Sequence, residues 1–264
     1  MAHTAHSPAV VCRQVGRAFG TNGTSQQILT DINLEIAPGE IISIIGASGS
    51  GKSTLLRALG GLDVGFTGQV RIKDTPVVEY DPRCAIGFQE PRLMPWATVA
   101  ENVALGLPDG TSKKSAKSRV AELLGLVGLD HAADHRPREI SGGMAQRASL
   151  ARAMARDPEI LLLDEPFGAL DALTRIKMQQ LLLDVHAQTG TTTVMVTHDV
   201  DEALLLSDRI ILLDDAEHAE GATISKIFTP PIPRPRASHD PALVSLREQL
   251  LTGLGVETLT SSKG

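Results

Sequence analysis

The alternation of apolar and polar positions predicts a chain in which strands and helices follow one another. Short apolar runs at residues 41–45 and 160–163 are typical of strands buried on both faces of a parallel sheet. This alternation indicates an α/β fold, and such sheets bind ligands beyond the carboxyl ends of their strands. Further core strands are expected at residues 85–88, 193–197, 209–213 and 222–228.

Helical patterns separate these strands. Helices are expected over residues 55–59, 98–107 and 113–127. Ser141 is a candidate cap for a helix that runs to about Ala155, and Asp171 caps the next one, which ends before Gly190. The apolar stripe of that last helix is expected to comprise Leu173, Ile176, Leu181 and Val185.

The first 80 residues predict a small antiparallel layer beside this core. Strands are expected at residues 11–19 and 28–36 with a turn at 20–25, because apolar and polar residues alternate over 32–36 with the period of a half-buried strand. A further hairpin is expected from residues 68–72 and 76–80.

The two ends of the chain differ from this core. Residues 229–236 are rich in proline and predict an extended linker, and Pro241 to Leu251 can form one short terminal helix. We therefore predict a loose start over residues 1–10, one large domain over 11–228 and a tail over 229–264. Within the domain, a helical subdomain is expected over about residues 90–156.

The most informative stretch is a glycine-rich turn between the strand at 41–45 and the helix after it. Residues 46–54 read GASGSGKST and fit the phosphate-binding pattern G-x-x-x-x-G-K-[ST]. Glycines let the backbone wrap closely around phosphate oxygens, and the helix N-terminus adds its positive dipole end. Lys52 is expected to bind the β- and γ-phosphates, and the Ser53 hydroxyl to ligate Mg²⁺. The ATP-binding residues expected here are Gly46, Ser48, Gly49, Gly51, Lys52, Ser53 and Thr54.

Three other predicted strands end in polar residues, namely Gln89, the pair Asp164 and Glu165, and His198. An apolar run that ends in aspartate is the usual second half of a nucleotide site, because Mg²⁺ needs an oxygen ligand there. Glu165 is suited to polarise a water molecule for attack on the γ-phosphate. These side chains are expected to join Lys52 in one ATP site with bound Mg²⁺.

Charge and composition narrow the function classes. The chain has 25 Lys and Arg against 31 Asp and Glu, a net charge of −6 that argues against general nucleic-acid binding. Its two cysteines, Cys12 and Cys84, suit a reducing compartment. The first ten residues lack a signal-peptide pattern, and no apolar run approaches the roughly 20 residues of a spanning helix. Work at a membrane would therefore require membrane-embedded partners.

The chain resembles the ATP-binding subunit of ABC transporters over roughly residues 11–236. The family's motifs occur in its order: GASGSGKST, Gln89, SGGMAQR at 141–147, ILLLDEP at 160–166, GALD at 168–171 and THD at 197–199. Ile140 and Met144 stand where the commonest signature form has Leu and Gln. The resemblance implies a P-loop NTPase fold with a RecA-like parallel core sheet, an N-terminal antiparallel β layer and a helical signature-motif subdomain.

The resemblance also implies a mechanism in which two copies pair head to tail around ATP. Ser141 and Gly143 of one copy would contact the γ-phosphate held by Lys52 of the other. The in-trans residues implied are Ser141, Gly142, Gly143 and Asp171. The catalytic residues implied are Glu165, His198 and Gln89, and the Mg²⁺ ligands are Ser53, Gln89 and Asp164.

Two aromatic residues each have two possible roles. Phe19 is the candidate for stacking on adenine, with a core position in the antiparallel layer as the alternative. Trp96 is the only tryptophan and lies in a loop flanked by Pro91 and Pro95. It is either an anchor for a membrane subunit or a buried packing residue.

The type of transporter is suggested by two segments. Residues 88–103 and the IPRPR sequence at 232–236 resemble aliphatic sulfonate importer ATPases most closely, with taurine and nitrate importers as alternatives. The partners implied are a second copy, two membrane-spanning permease subunits and, indirectly, a periplasmic solute-binding protein. The location implied is the cytoplasmic face of the bacterial inner membrane.

Two other function classes stay open. A soluble ABC-type ATPase acting on ribosomes or DNA usually has two cassettes or a long coiled coil, whereas this chain has one copy of each motif and no sustained heptads. A regulatory module that holds ATP without turnover is the second class. Intact Glu165 and His198 argue against it.

Overall fold

The computed structural model describes residues 7–21, 24–215 and 221–256. Contacts divide the chain into two compact units. Unit 1 consists of Met1–Asp81 with Val194–Gly264, and unit 2 of Pro82–Thr193. The domain boundaries expected at residues 10, 228 and 264 stay predictions.

Strands and helices alternate through most of the described chain, which confirms the predicted α/β class. The strands are β1 (Val10–Thr21), β2 (Thr24–Ile36), β3 (Ile41–Gly46), β4 (Thr67–Ile72), β5 (Thr75–Pro76), β6 (Cys84–Gly87), β7 (Ile160–Asp164), β8 (Thr192–Val196), β9 (Arg209–Asp215) and β10 (Ala222–Phe228). The helices are α1 (Lys52–Leu59), α2 (Val99–Ala104), α3 (Lys113–Leu126), α4 (Gly142–Met154), α5 (Ala172–Thr189), α6 (Val200–Leu206) and α7 (Pro241–Gly253).

The strands of unit 1 lie in the order β5-β4-β1-β2-β10-β9-β3-β8, with β8 ending in this unit. β1 pairs antiparallel with both β2 and β4, which forms the predicted antiparallel layer. β3 pairs in parallel with β9, and all six of its residues are buried. The strand that leads into the glycine-rich turn is therefore fully buried, as its apolar run predicts.

Two predicted turns near the antiparallel layer differ in extent. The turn expected at 20–25 is narrower, since β1 continues to Thr21 and β2 begins at Thr24, and residues 22–23 lie outside the described part. The prediction that residues 76–80 form the second strand of this hairpin is wrong, because β5 ends at Pro76. There the backbone N–H of Val78 donates to the Asp81 carboxylate at 3.2 Å, which turns the chain away from β4.

Unit 2 contains β6 and β7, which pair in parallel, and helices α2 to α5. Every described element between β6 and β7 is helical, and includes two short 3₁₀ turns at Asp130–Ala132 and Pro137–Glu139. Side-chain caps fix where three of these helices begin, because Thr98, Ser112 and Ser141 each accept a hydrogen bond from the first turn of the helix they precede. No described helix in either unit has the length and apolar character needed to cross a membrane.

The apolar stripe predicted for α5 is partly wrong. Leu173 and Ile176 are 73% and 62% exposed, whereas Met178, Leu182 and Val185 are buried. Apolar residues lie on several faces of this helix, so periodicity alone does not select the buried face. The packing of the surrounding elements decides it.

The tail after Phe228 forms part of the core of unit 1. Residues 229–240 contain no helix or strand, as predicted, and α7 follows at Pro241. The buried face of α7 packs in one cluster with α6 and with β3, β9 and β10. The α7 residues in that cluster are Leu243, Leu246 and Leu250.

We predict that Leu250→Ala lowers the free energy of unfolding by about 2–5 kcal/mol, because it opens a cavity at a fully buried site. Val244→Ala, on the 41% exposed face of the same helix, should change it by less than about 0.5 kcal/mol. Urea unfolding curves of both variants give the comparison. Equal and small effects would show that α7 does not belong to the core.

Candidate functional site

The glycine-rich turn between β3 and α1 passes so close to its neighbours that side chains do not fit. A Cβ on Gly46 would lie 2.3 Å from the carbonyl oxygen of Leu213, and one on Gly51 would lie 2.7 Å from Cδ2 of Leu29. Gly49 and Gly51 have φ angles of +83° and +82°, in the region that favours glycine. Since Gly51 is the N-cap of α1, the N-terminus of that helix lies at the turn.

Lys52 is the first residue of α1 and is buried. Its ammonium group donates to the carbonyl oxygens of Gly46 at 3.0 Å and Ala47 at 2.7 Å, which holds the charge over the turn. The hydroxyl of Ser50, also in the turn, is buried and has no hydrogen-bond partner among the described residues. Phosphate oxygens are bound by positive charge and by hydrogen-bond donors. This turn offers the Lys52 ammonium group, the N-terminus of α1 and the Ser50 hydroxyl.

The turn that carries His198 lies beside the end of β3. The backbone N–H of Thr197 donates to the carbonyl oxygen of Ile44 at 3.3 Å, two residues before the glycine-rich turn. The Thr197 hydroxyl donates to the Glu202 carboxylate at 2.6 Å and accepts from the Asp199 N–H at 3.0 Å. His198 itself is exposed. Its backbone position is therefore set by Thr197 and by the first turn of α6.

Phe19 lies near the end of β1 and is 45% exposed. The guanidinium of Arg17 lies 3.9 Å from the centre of its ring, and an ion pair of 2.8 Å with Asp63 holds Arg17 in turn. This exposure disagrees with the alternative that Phe19 is a core residue of the antiparallel layer. An exposed ring with a cation over one face suits stacking on a base, and the adenine role stays a prediction.

In unit 2, the pair of carboxylates follows β7. Asp164 ends the strand after four buried residues. Glu165 has a φ angle of +48°, in the left-handed region that non-glycine residues rarely adopt. Its carbonyl oxygen accepts a hydrogen bond from Gly168 at 3.2 Å. Such conformations cost energy and persist only where the surrounding structure holds them, and the catalytic role of Glu165 stays a prediction.

A buried glutamine of α4 connects the two strand ends of unit 2. The Nε2 of Gln146 donates to the carbonyl oxygens of Phe88 at 3.2 Å and Pro166 at 3.0 Å. A Cβ on Gly168 would lie 3.0 Å from Nε2 of Gln89. The Gln89 segment and the turn after β7 therefore lie side by side, as the sheet-edge argument predicts.

The residues expected to act in trans lie at the N-terminus of α4. Ser141 caps the helix, since its hydroxyl accepts from the Met144 N–H at 3.2 Å. At Gly142 there is room for a side chain, because a Cβ there would meet no atom within 4 Å. At Gly143 there is no room, because a Cβ there would lie 2.5 Å from Cγ2 of Thr174.

Thr174 also connects this helix to Asp171. The Asp171 carboxylate accepts from the Thr174 hydroxyl at 2.6 Å and from the N–H groups of Leu173 and Thr174 at 3.1 and 3.0 Å. The Thr174 hydroxyl, followed by these amides, holds the pKa of Asp171 below its ordinary value. Gly143 and Asp171 thus share one neighbour, and an ionised Asp171 caps α5.

The candidate residues fall in both units. Three residues to which the sequence assigned no role set the geometry around the candidates: Thr197 and Gln146, which lie in the motifs quoted above, and Glu202, which lies in none of them. Glu202 and Gln146 are polar residues buried on helices, and a polar residue within an apolar stripe is the signal that marks such positions. Unit 1 holds Phe19, Gly46, Ser48, Gly49, Gly51, Lys52, Ser53, Thr54 and His198, and unit 2 holds Gln89, Ser141, Gly142, Gly143, Asp164, Glu165 and Asp171.

Residues 29–168 match a family model described as ABC transporter. The chain is 48% identical to the aliphatic sulfonates import ATP-binding protein SsuB of Granulibacter bethesdensis, over 95% of this chain and 96% of that protein. It is 48% identical to the aliphatic sulfonates import ATP-binding protein SsuB 3 of Nocardia farcinica, over 96% and 94% respectively. Among solved structures, a dimeric ATP-binding cassette in a post-hydrolysis state bound to ADP and Pi is similar with a TM-score of 0.69 and 34% identity, covering 83% of this chain and 98% of that chain.

We predict that Gly143→Ala lowers the free energy of unfolding by about 1–3 kcal/mol, because the new methyl group must displace Thr174. Gly142→Ala should be neutral or stabilising by up to about 1 kcal/mol, because its Cβ meets open space and alanine favours helix. Thr174→Ser removes the obstructing methyl group and keeps the hydroxyl for Asp171, so the double variant Gly143→Ala/Thr174→Ser should recover stability. Urea unfolding of the four proteins tests this, and identical behaviour of the two glycine variants would contradict it.

Proposed function

We propose, from the premise that this chain belongs to the ABC transporter family, that it drives a bacterial importer of aliphatic sulfonates. The family model and relatives that span nearly the whole chain establish membership. Membership makes the chain an ATP-binding subunit with ATPase activity. The roles of individual residues, the solute and the membrane partners form the proposal.

The observation that carries ATP binding is the turn between β3 and α1. Lys52 holds its ammonium group over that turn, and the N–H groups of α1 begin there. A triphosphate in this turn would exchange the carbonyl contacts of Lys52 for charged contacts to phosphate oxygens, which are stronger. Phe19, exposed beside Arg17, would stack on the adenine.

The three proposed ligands have the chemistry that Mg²⁺ requires. Ser53, Gln89 and Asp164 offer a hydroxyl, an amide and a carboxylate oxygen, which are the hard ligands that Mg²⁺ prefers. Mg²⁺ carried by the nucleotide would be held by these side chains together with the phosphates, and it would neutralise phosphate charge. Among the described residues, no group of three His, Cys, Asp or Glu side chains could hold a metal ion.

Hydrolysis would depend on residues that follow three strands. Glu165 would polarise the attacking water, from a backbone position that its φ of +48° makes specific. His198 would donate to the γ-phosphate and position the water, and Gln89 would sense that phosphate. Since Gln146 bonds next to both Gln89 and Glu165, it would carry changes at the γ-phosphate into α4, whose N-terminus holds Ser141.

A second copy would complete the site. Ser141 and Gly143 lie at a helix N-terminus, which is suited to bind an anion held by another chain. The open surface at Gly142 allows another molecule to approach the backbone there. Support also comes from the ATP-binding cassette similar to this chain, which was solved as a dimer bound to ADP and Pi. ATP would thus join two copies, with Asp171 at their interface, and hydrolysis would release them.

The solute is proposed from the relatives. Two proteins 48% identical to this chain over nearly its whole length are aliphatic sulfonate import proteins. Taurine and nitrate are the alternatives, because importers of these solutes share the form of residues 88–103. No residue of an ATP-binding subunit needs to touch the solute, so transport itself is the decisive measurement.

Trp96 is proposed as the contact to a membrane-spanning permease subunit. It is 72% exposed, which disagrees with the alternative of a buried packing residue. Its loop is held in one shape by the buried side chain of Asn102, which donates to the carbonyl oxygens of Met94, Ala97 and Thr98 and accepts from the Met94 N–H. An exposed tryptophan on a loop held by backbone hydrogen bonds suits an interface anchor. The importer would comprise two copies of this chain, two permease subunits and a periplasmic binding protein, with this chain on the cytoplasmic face of the inner membrane.

We predict that Glu165→Gln binds ATP, hydrolyses it very slowly and accumulates as a dimer, because the water is no longer polarised while the triphosphate still joins the copies. Light scattering with ATP and with ADP measures the mass. The double variant Glu165→Gln/Ser141→Arg is the control and should stay monomeric with ATP, because the larger side chain blocks the in-trans contact. A single variant that stays monomeric with ATP would contradict the sandwich.

We predict that cells without this chain lose uptake of radiolabelled aliphatic sulfonates. The wild-type chain should restore uptake, and Lys52→Ala should not, because it removes the charged contact to the phosphates. Taurine and nitrate uptake in the same cells tests the alternatives. Unchanged sulfonate uptake, or recovery of the chain with ribosomes or DNA instead of membrane proteins, would contradict the proposal.

A further inference from the structure

Helix α6, which follows His198, is too short to hold its own position. It has seven residues, and isolated helices of this length are marginal in water. Its N-terminus is capped by Asp199, and its Glu202 accepts the hydroxyl of Thr197. Any shift of α6 therefore moves Thr197 and Asp199, the two residues that flank His198.

Two arginines of the tail satisfy the carbonyl groups at the other end of α6. Arg236 donates to the carbonyl oxygens of Leu204 at 2.8 Å and Ser207 at 2.6 Å. Arg234 donates to the carbonyl oxygen of Leu206 at 2.8 Å. The last carbonyls of a helix have no partner within it, and cations are favourable at this negative end. The tail thus supplies the C-terminal cap that α6 lacks in its own sequence.

One of these arginines, Arg234, also connects α6 to the start of β3. The Nη2 of Arg234 forms an ion pair with Asp208 and donates to both of its carboxylate oxygens, each at 2.9 Å. Asp208 in turn accepts from the Ile41 N–H at 2.9 Å, and its own N–H donates to the Ile41 carbonyl at 2.7 Å. Arg234 and Asp208 therefore tie α6 to the strand that carries the phosphate-binding turn.

Helix α7 covers the side of α6. Leu243, Leu246 and Leu250 pack in one buried cluster with Val200, Ala203 and Leu204 of α6. At the N-terminal end of α6, Arg247 of α7 forms an ion pair with Asp201. Residues 234–250 therefore contact α6 at both ends and along one face.

We propose that the tail positions His198 for ATP hydrolysis, with Arg234 and Arg236 as positioning residues that act through α6. The inference rests on the role proposed above for His198. Displacing a catalytic group by about 1 Å costs about 100-fold in rate, whereas binding through the phosphate turn does not require α6. Loosening the tail should therefore lower kcat and leave ATP affinity in place.

The test compares the full-length chain with Arg236→Ala and with Arg209→Ala as a matched control. Arg209 is also partly buried, pairs with Glu40 and donates to the carbonyl oxygen of Glu35 at 2.6 Å, but has no hydrogen bond to α6 among the described contacts. For Arg236→Ala we expect kcat to fall about 10- to 100-fold with KM for ATP within about 2-fold. Hydrogen exchange should speed up in α6 and stay unchanged in α1. Arg209→Ala should keep kcat within about 2-fold at a similar loss of thermal stability.

Two further variants separate the possible outcomes. Arg247→Gln removes the ion pair with Asp201 and a long hydrogen bond of 3.4 Å to the carbonyl oxygen of Ser238. It should lower kcat in the same direction but less, and it keeps the test available should Arg236→Ala fail to fold. His198→Ala tests the premise, and an undiminished kcat there would overturn the role of His198 together with this inference. A loss in His198→Ala combined with unchanged kcat in the tail variants would overturn the inference alone. Equal losses of kcat and of ATP affinity in Arg236→Ala and Arg209→Ala would also overturn it, since that is general destabilisation.

Discussion

The close approach of backbone around the turn between β3 and α1 is the constraint on which the rest of the structure depends. Gly46 passes within reach of the Leu213 carbonyl, and Gly51 lies against Leu29. Any side chain at these positions would push the turn away from β9 or β2 and change its curvature. Because Lys52 follows at the first residue of α1, the same packing that buries β3 also determines where the positive charge lies.

Four helix N-termini lie at or next to candidate functional residues. Gly51 begins α1, Ser141 begins α4, Asp171 begins α5 and Asp199 begins α6. Where a side chain caps the helix, its hydrogen bonds fix the segment just before that helix. The N-terminus of α1 at Gly51 has no side-chain cap, and a helix N-terminus is suited to bind an anion.

Residues that stabilise unit 1 also contact the segment proposed to act in catalysis. The cluster that buries α7 also contains Ile45, the residue just before the glycine-rich turn, and Val200 and Ala203 of the helix after His198. Packing of the tail therefore stabilises the fold at the same place where, in our proposal, it positions His198. Interiors are close-packed, so a change on one side of α6 is transmitted to the other instead of being absorbed.

The sequence by itself determined the α/β class, most helix and strand positions, and the chemistry of the phosphate turn, because each depends on neighbours within a few positions. It did not determine which face of α5 is buried, since remote packing partners decide that. It also did not determine where β5 ends, since the hydrogen bond between Val78 and Asp81 decides that. Only the tertiary structure brought Gln146 to the two strand ends and the tail to α6. Those contacts join residues about 20 to 60 positions apart, and local pattern has no information about such distances.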